Sequence, residues 1–338
     1  MFDDVVFVDD DDGGGGDDGA PPFQVVEWSE DQQREFRESL RAMRAEFEKP
    51  VPEDEWRRCM EIPQHLETYD HDTGAWSSPA NPEWLRYKKH RFSGSTIAGV
   101  VGNGYHNREQ SLQNLVWPEL NPINPIFTGH GNYHEETCEL CLVAMLQGRV
   151  DDPEDPLIKF DLWDAGLCVS RKHPMLSYSP DGVLDLWYAD GSHETILTEY
   201  KCPYTKRWGK KRGQRHLYGP IMTPRPYGDQ PNPNEASLVP QPFGITTYYY
   251  DQIQMGMWLM GSEGVLKVST NKRMRCLFCV WTFGDFDTYE IPFDEGYARD
   301  FLVPTALDVW YNQYTPAVVA KHMGMLGEKE TTVPFRSR

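Results

Sequence analysis

At 338 residues, 39% hydrophobic and with 11 Trp and 17 Tyr, the chain can bury one large core or two small ones. Its net charge of −19 excludes nucleic-acid binding by bulk attraction, so any DNA contact must come from a local basic stripe. The 7 Cys are odd in number, no secretory signal is present, and no apolar run reaches membrane-spanning length. Together these predict a soluble, reducing, intracellular setting with free thiols and no membrane partner.

Residues 1–22 are acidic and Gly-rich, a composition expected to stay disordered. Residues 23–83 read as a helical accessory region. Within it Ser29 is a plausible N-cap, and Phe36, Leu40, Met43 and Phe47 form a stripe at helical spacing up to about Lys49. Pro50 and Pro52 stop that helix, and residues 50–83 read as a connector. From Trp84 the string WLRYKKHRFSGSTIAGVVG places bases and small polar residues ahead of a helix. A second helix is expected from about Asn132 to Gln147, with Leu140, Val143, Ala144 and Leu146 as its apolar surface. Leu157–Val169 is strand-capable.

The stretch LSYSPDGVLDLWYADGSHETILTEYKCP, residues 176–203, predicts a hairpin. Val183–Tyr188 ends at Asp190-Gly191, a strong turn signal, and Thr195–Lys201 returns. Period-two geometry puts Glu199 and Lys201 on one face of the returning strand and Tyr200 on the other. Asp181 precedes the first strand, so the hairpin brings it beside Glu199. Two carboxylates and an ammonium converging at a sheet edge suit a hard divalent cation and a polarised water.

Next, YTKRWGKKRGQR concentrates Lys206, Arg207, Lys210, Lys211, Arg212 and Arg215, the local bases that the acidic chain otherwise lacks. Residues 219–244 are a Pro- and Gly-rich loop. A helix is expected over about Thr246–Leu259, then a hairpin of Arg273–Phe283 with Phe286–Pro292, then a helix over Asp294–Tyr314, with residues 316–338 as a tail. Cys138/Cys141 and Cys276/Cys279 form two CxxC pairs, the second poorly disposed to chelate on a strand.

The pattern Asp181…Glu199-x-Lys201, within SPDG…EYKCPYTKR, resembles the PD-(D/E)XK nuclease superfamily, and within it the lambda-type exonucleases and YqaJ-like viral recombinases. The resemblance implies an α/β, restriction-endonuclease-like core over residues 84–315, a mixed central sheet flanked by helices. It implies that Asp181, Glu199, Glu135 and the Tyr200 carbonyl bind one or two Mg²⁺, with Mn²⁺ able to substitute. Glu135 stands in a Gly-x-x-x-Glu match with Gly131, and Glu136 is its fallback. Lys201 would orient or deprotonate the water, helped by Gln252, with Gln254 the weaker candidate. Ser95, Ser179 and Arg207 match phosphate contacts of the family. The family arginine falls by spacing at Lys88, with Arg86 and Arg91 close by; lysine loses the bidentate fork of arginine. His130 and His134 are expected as neighbours of the site and not as ligands.

The implied activity is a Mg²⁺-dependent 5′→3′ exonuclease on double-stranded DNA ends, in recombination alongside a single-strand annealing protein, and relatives form a homo-oligomeric trimer. An endonuclease on the same core is an alternative, and a non-catalytic DNA-end-binding scaffold is the alternative of another class.

Overall fold

A computed structural model of the chain describes residues 28–331, except 67, 71–74, 78–79, 105, 121–124, 203–244, 246, 270–271 and 283–284. Helix α1, Glu30–Phe47, opens with a capping box, in which Ser29 and Gln32 each bond the other's backbone N–H. Phe36, Leu40 and Phe47 bury the expected stripe. The connector read over residues 50–83 carries more structure than expected. It holds α2 (Glu53–Glu61) and the short paired strands β1 (Thr68–Asp70) and β2 (Ala75–Ser77). Three helices follow, α3 (Pro82–Lys88), α4 (Gly94–Val101) and α5 (Arg108–Val116), before the long α6 (Pro125–Asp151).

The centre is a mixed five-stranded sheet in the order β3 (Leu157–Trp163), β6 (Gly182–Tyr188), β7 (His193–Lys201), β8 (Arg275–Thr282) and β9 (Asp285–Pro292). The short strands β4 (Cys168–Val169) and β5 (Ser177–Tyr178) pair separately. β3, β6 and β7 form an antiparallel meander, which includes the predicted hairpin. The chain then crosses over through α7 (Thr247–Ser262) and returns as β8, parallel to β7; β9 closes the sheet antiparallel to β8. Parallel neighbours need such a crossover, and a helix is its usual form.

Helices cover both faces, so the fold is α/β as expected. On one face Cys138, Leu142 and Leu146 of α6 pack on Leu184, Ile196, Tyr200 and Leu277. This differs from the expected apolar face of α6: Leu140 is 61% exposed, and the buried row runs at a strict four-residue spacing. On the other face Ile253 and Met257 of α7 and Ile97 of α4 join Val183, Leu197 and Phe278. The strand β7 thus alternates as period-two geometry requires, with Ile196 and Tyr200 toward α6 and Leu197 toward α7.

The C-terminal part departs from the expected tail at 316–338. The chain is helical from Glu295 to His322 as α8 (Glu295–Tyr297), α9 (Val303–Val309) and α10 (Thr315–His322), joined by π-helical turns at Ala298–Leu302 and Trp310–Tyr314. Each π turn ends two residues before a proline, Pro304 or Pro316. A proline ring clashes with the carbonyl four residues earlier in a regular α-helix, and a widened turn relieves that clash. Ala317, Val318, Val319 and Ala320 are buried in the core that also holds Phe36 and Leu40 of α1. Residues 316–322 therefore belong to the packed body. No helix among the described residues is long and apolar enough to cross a membrane.

Candidate active site

Glu199 and Lys201 stand on the same face of β7, as their spacing requires, and that face lies under α7. Both are almost fully buried, at 1% and 4% exposure, with Lys201 Nζ donating to Glu199 Oε1 at 2.9 Å. Gln252 of α7 donates from Nε2 to the same oxygen. Tyr178, at the end of β5, donates its hydroxyl to Glu199 Oε2. Asp181 sits in the turn that enters β6 and accepts the Tyr200 backbone N–H on Oδ2 at 2.6 Å. The backbone of β7 thus holds one carboxylate while its side chains present the other.

The charges act on one another. Desolvation pushes the Asp181 carboxyl well above the usual carboxylate range, and the charges of Glu199 and Glu135 push it the same way. Lys201 and the Tyr200 N–H oppose them. Glu135, from α6, therefore belongs to the same electrostatic group as the hairpin residues, while Glu136 is exposed. Three carboxyl groups face one ammonium in a desolvated site whose candidate ligand atoms are oxygens. That donor chemistry fits a hard divalent cation. Among the described residues, no three His, Cys, Asp or Glu side chains close around one point at ligating distance. The oxygens of Glu199 instead accept from Lys201, Gln252 and Tyr178. Burial, and then the charge of Glu199, raises the Tyr178 phenol well above its ordinary value, so it stays a proton donor.

Beside this group lies a cleft lined by Lys88, Ser95, Ser179 and Gln252, with Trp84 and Tyr178 in its wall. Three residues expected to contact phosphate, brought from α3, α4 and the turn before β6, therefore meet in one place. Lys88 Nζ lies 4.4 Å from the centre of the Trp84 ring, a cation–π distance. Ser95 Oγ is 3.1 Å from Ser93 Oγ, and Ser179 Oγ donates to the Gly166 carbonyl at 3.3 Å.

Arg91, expected with Lys88 to contact DNA, also has partners within the fold. Its guanidinium donates to the carbonyls of Pro174 and Tyr87 and packs over the Phe47 ring, so it ties α1, α3 and the loop before β5 together. Arg86 is exposed beside Glu83. Gln254 is spent on the backbone, donating to Pro292 O and accepting from Asp294 N, which leaves Gln252 as the glutamine of the site. His134 stacks on Trp281 at 4.4 Å and lies 4.4 Å from the His130 ring. Cys138 of the first CxxC pair meets Cys202 by hydrogen bond and lies near Cys279 of the second. Lys206, Arg207, Lys210, Lys211, Arg212 and Arg215, with the loop 219–244, lie outside the described residues.

Sequence reasoning missed Tyr178. Its only trace was a large aromatic next to Ser-Pro-Asp; the residues that make room for it are remote in the chain.

No family model matches this sequence, and no curated protein matches it. Among solved structures the chain is similar to an alkaline exonuclease, LHK-Exo, from Laribacter hongkongensis, with 15% identity and a TM-score of 0.44 over 72% of this chain and 97% of that one. It is similarly related to LHK-Exo in complex with dAMP, at 15% identity and a TM-score of 0.43 over 72% and 95% of the two chains.

Proposed function

We propose that the protein is a Mg²⁺-dependent deoxyribonuclease, a 5′→3′ exonuclease on linear double-stranded DNA that recognises the 5′-phosphate. The 3′ single strands it leaves would feed viral or phage-type recombination or genome processing, taken up by an annealing protein. The observation that carries this reading is the juxtaposition of the Asp181, Glu199, Lys201 and Gln252 group with the cleft of Lys88, Ser95 and Ser179. A carboxylate cluster beside a phosphate-binding cleft is electrostatically adverse for mere DNA binding, and it makes sense where a cation is to be held.

Asp181, Glu199 and Glu135, with the Tyr200 carbonyl, would hold Mg²⁺, and Mn²⁺ would substitute because it shares the preference for oxygen ligands. Such an ion supplies an acidified water and charge neutralisation at the scissile phosphate. The side chains do the rest. Lys201 Nζ, which donates to Glu199 Oε1, orients the attacking water, and it can take that water's proton only after giving up one of its own. Gln252 Nε2 holds the same carboxylate oxygen and borders the cleft, so it keeps acid group and substrate in register. Lys88 meets the terminal phosphate as a point charge, while the Ser95 and Ser179 hydroxyls donate to its oxygens. Arg207 would join them on the terminal phosphate, and its basic neighbours Lys206, Lys210, Lys211 and Arg212 would contact the DNA beyond it.

Digestion of linear duplex DNA, 5′-phosphorylated against 5′-hydroxyl, in Mg²⁺ and in EDTA tests this. The reading expects Mg²⁺-dependent loss from the phosphorylated 5′ strand. Equal rates on both ends would keep the nuclease and discard the phosphate cleft. Cutting of closed circles would make it an endonuclease, and no digestion in either Mg²⁺ or Mn²⁺ would leave a DNA-end-binding scaffold.

A further inference from the structure

Tyr178 is 1% exposed, and its ring is gripped by two helices at glycines. A Cβ on Gly94 of α4 would fall 2.5 Å from the ring's Cε2, and one on Gly256 of α7 would fall 2.5 Å from its Cζ. Carbon atoms do not pack that closely, so the ring occupies its seat only because both positions lack a side chain. Glycine is a poor helix former, and two such residues facing one ring need a compensating gain.

The hydroxyl identifies that gain. Lys201 Nζ and Gln252 Nε2 both donate to Oε1 of Glu199, whereas Tyr178 donates to Oε2. The terminal torsion of a glutamate is broad and roughly two-fold, so donors on one oxygen leave the carboxylate plane soft. A donor on the second oxygen, carried by a ring locked between two helices, fixes that plane. The same ring walls the cleft of Lys88, Ser95 and Ser179.

We propose that Tyr178 is a positioning residue of this centre, setting the orientation of the Glu199 carboxylate, and that Gly94 and Gly256 are required because they admit its ring. The proposal rests on the nuclease reading above.

Tyr178→Phe keeps the ring in its seat and removes one O–H. We expect kcat on 5′-phosphorylated linear duplex to fall roughly ten- to hundredfold, as for loss of a hydrogen bond to a charged group. KM for DNA and the preference for a 5′-phosphate stay unchanged, and Mn²⁺ binding, followed by titration calorimetry, weakens. A merely packing role would move none of these, since phenylalanine fills the same seat. Wild-type kcat and Mn²⁺ affinity in Tyr178→Phe would overturn the proposal.

Gly256→Ala supplies a second test that survives poor folding of any one variant. In the wild-type background it should lower both the melting temperature and kcat, because its methyl meets the ring. In the Tyr178→Ala background it should cost nothing further, because the seat is vacant. Equal losses in the two backgrounds would overturn the proposal. A wild-type protein that cuts no DNA removes the nuclease reading alone, and the Mn²⁺ titration and melting cycle then judge Tyr178. One that neither cuts DNA nor binds Mn²⁺ overturns both.

Discussion

Lys201→Met removes an ammonium while roughly keeping the side-chain volume, and it isolates the electrostatics of the site from its packing. Lys201 and Glu199 are 4% and 1% exposed and 2.9 Å apart, so solvent does not screen the pair as it does an exposed one. Removing one partner of a buried pair costs about 3–5 kcal/mol, because the charge left behind has lost both water and counter-ion. Glu199 keeps the hydrogen bonds of Tyr178 and Gln252, which places the expected loss at the lower end, about 3 kcal/mol. For a chain of this size that is a drop of roughly 4 °C in melting temperature. The assay is urea unfolding at pH 8 in EDTA, with thermal melts alongside. Adding Glu199→Gln to Lys201→Met should recover most of the loss, since the buried charge then disappears with its partner. A loss below about 1 kcal/mol, the value of a surface pair, would refute the reasoning, as would a double variant no more stable than the single one.

Three further outcomes follow from the same structure. Because the Asp181 carboxyl is raised above its unfolded value of 3.8, its contribution to stability is complete below that pH and is lost as pH rises. Asp181→Asn should therefore raise the melting temperature at pH 8 in EDTA and leave it unchanged near pH 3; no gain at pH 8 would contradict the crowding of carboxylates. Asp251, buried and hydrogen-bonded by Tyr297 and Asn103, is pushed up to about 7 by burial. Stability should decline between about pH 4 and 7, by up to roughly 4 kcal/mol, and the decline should flatten in Asp251→Asn, as read from unfolding free energies across that range. Truncation ahead of Thr315 removes the buried face of α10 and should abolish cooperative unfolding by circular dichroism; a wild-type melt would return residues 316–322 to the status of a tail.

What the sequence revealed and what it hid divide along physical lines. The β6–β7 hairpin was legible because Asp190-Gly191 marks a turn and because strand periodicity fixes which face Glu199 takes. Ser29 was legible as an N-cap because capping is a local event. The start of α6 was hidden by Gly131, a poor helix former that the helix nevertheless incorporates and buries. The continuation past Tyr314 was hidden because Pro316 reads as a break, and a π turn absorbs it here. Arg91 reads as a DNA contact because it lies close to the position of the family arginine, and the fold gives two of its N–H groups backbone carbonyls that no local pattern announces. The seat of Tyr178 depends on two helices brought together by the whole core, and no local pattern encodes it.

The most direct test of the central claim is single-turnover digestion of 5′-phosphorylated linear duplex in Mg²⁺ by the wild-type protein and by Asp181→Asn, with DNA binding measured on both. The wild type should cut in a Mg²⁺-dependent way, Asp181→Asn should lose that activity by several orders of magnitude, and both should bind DNA ends. Undiminished digestion by Asp181→Asn would contradict the claim, because the chemistry would then lie elsewhere in the chain.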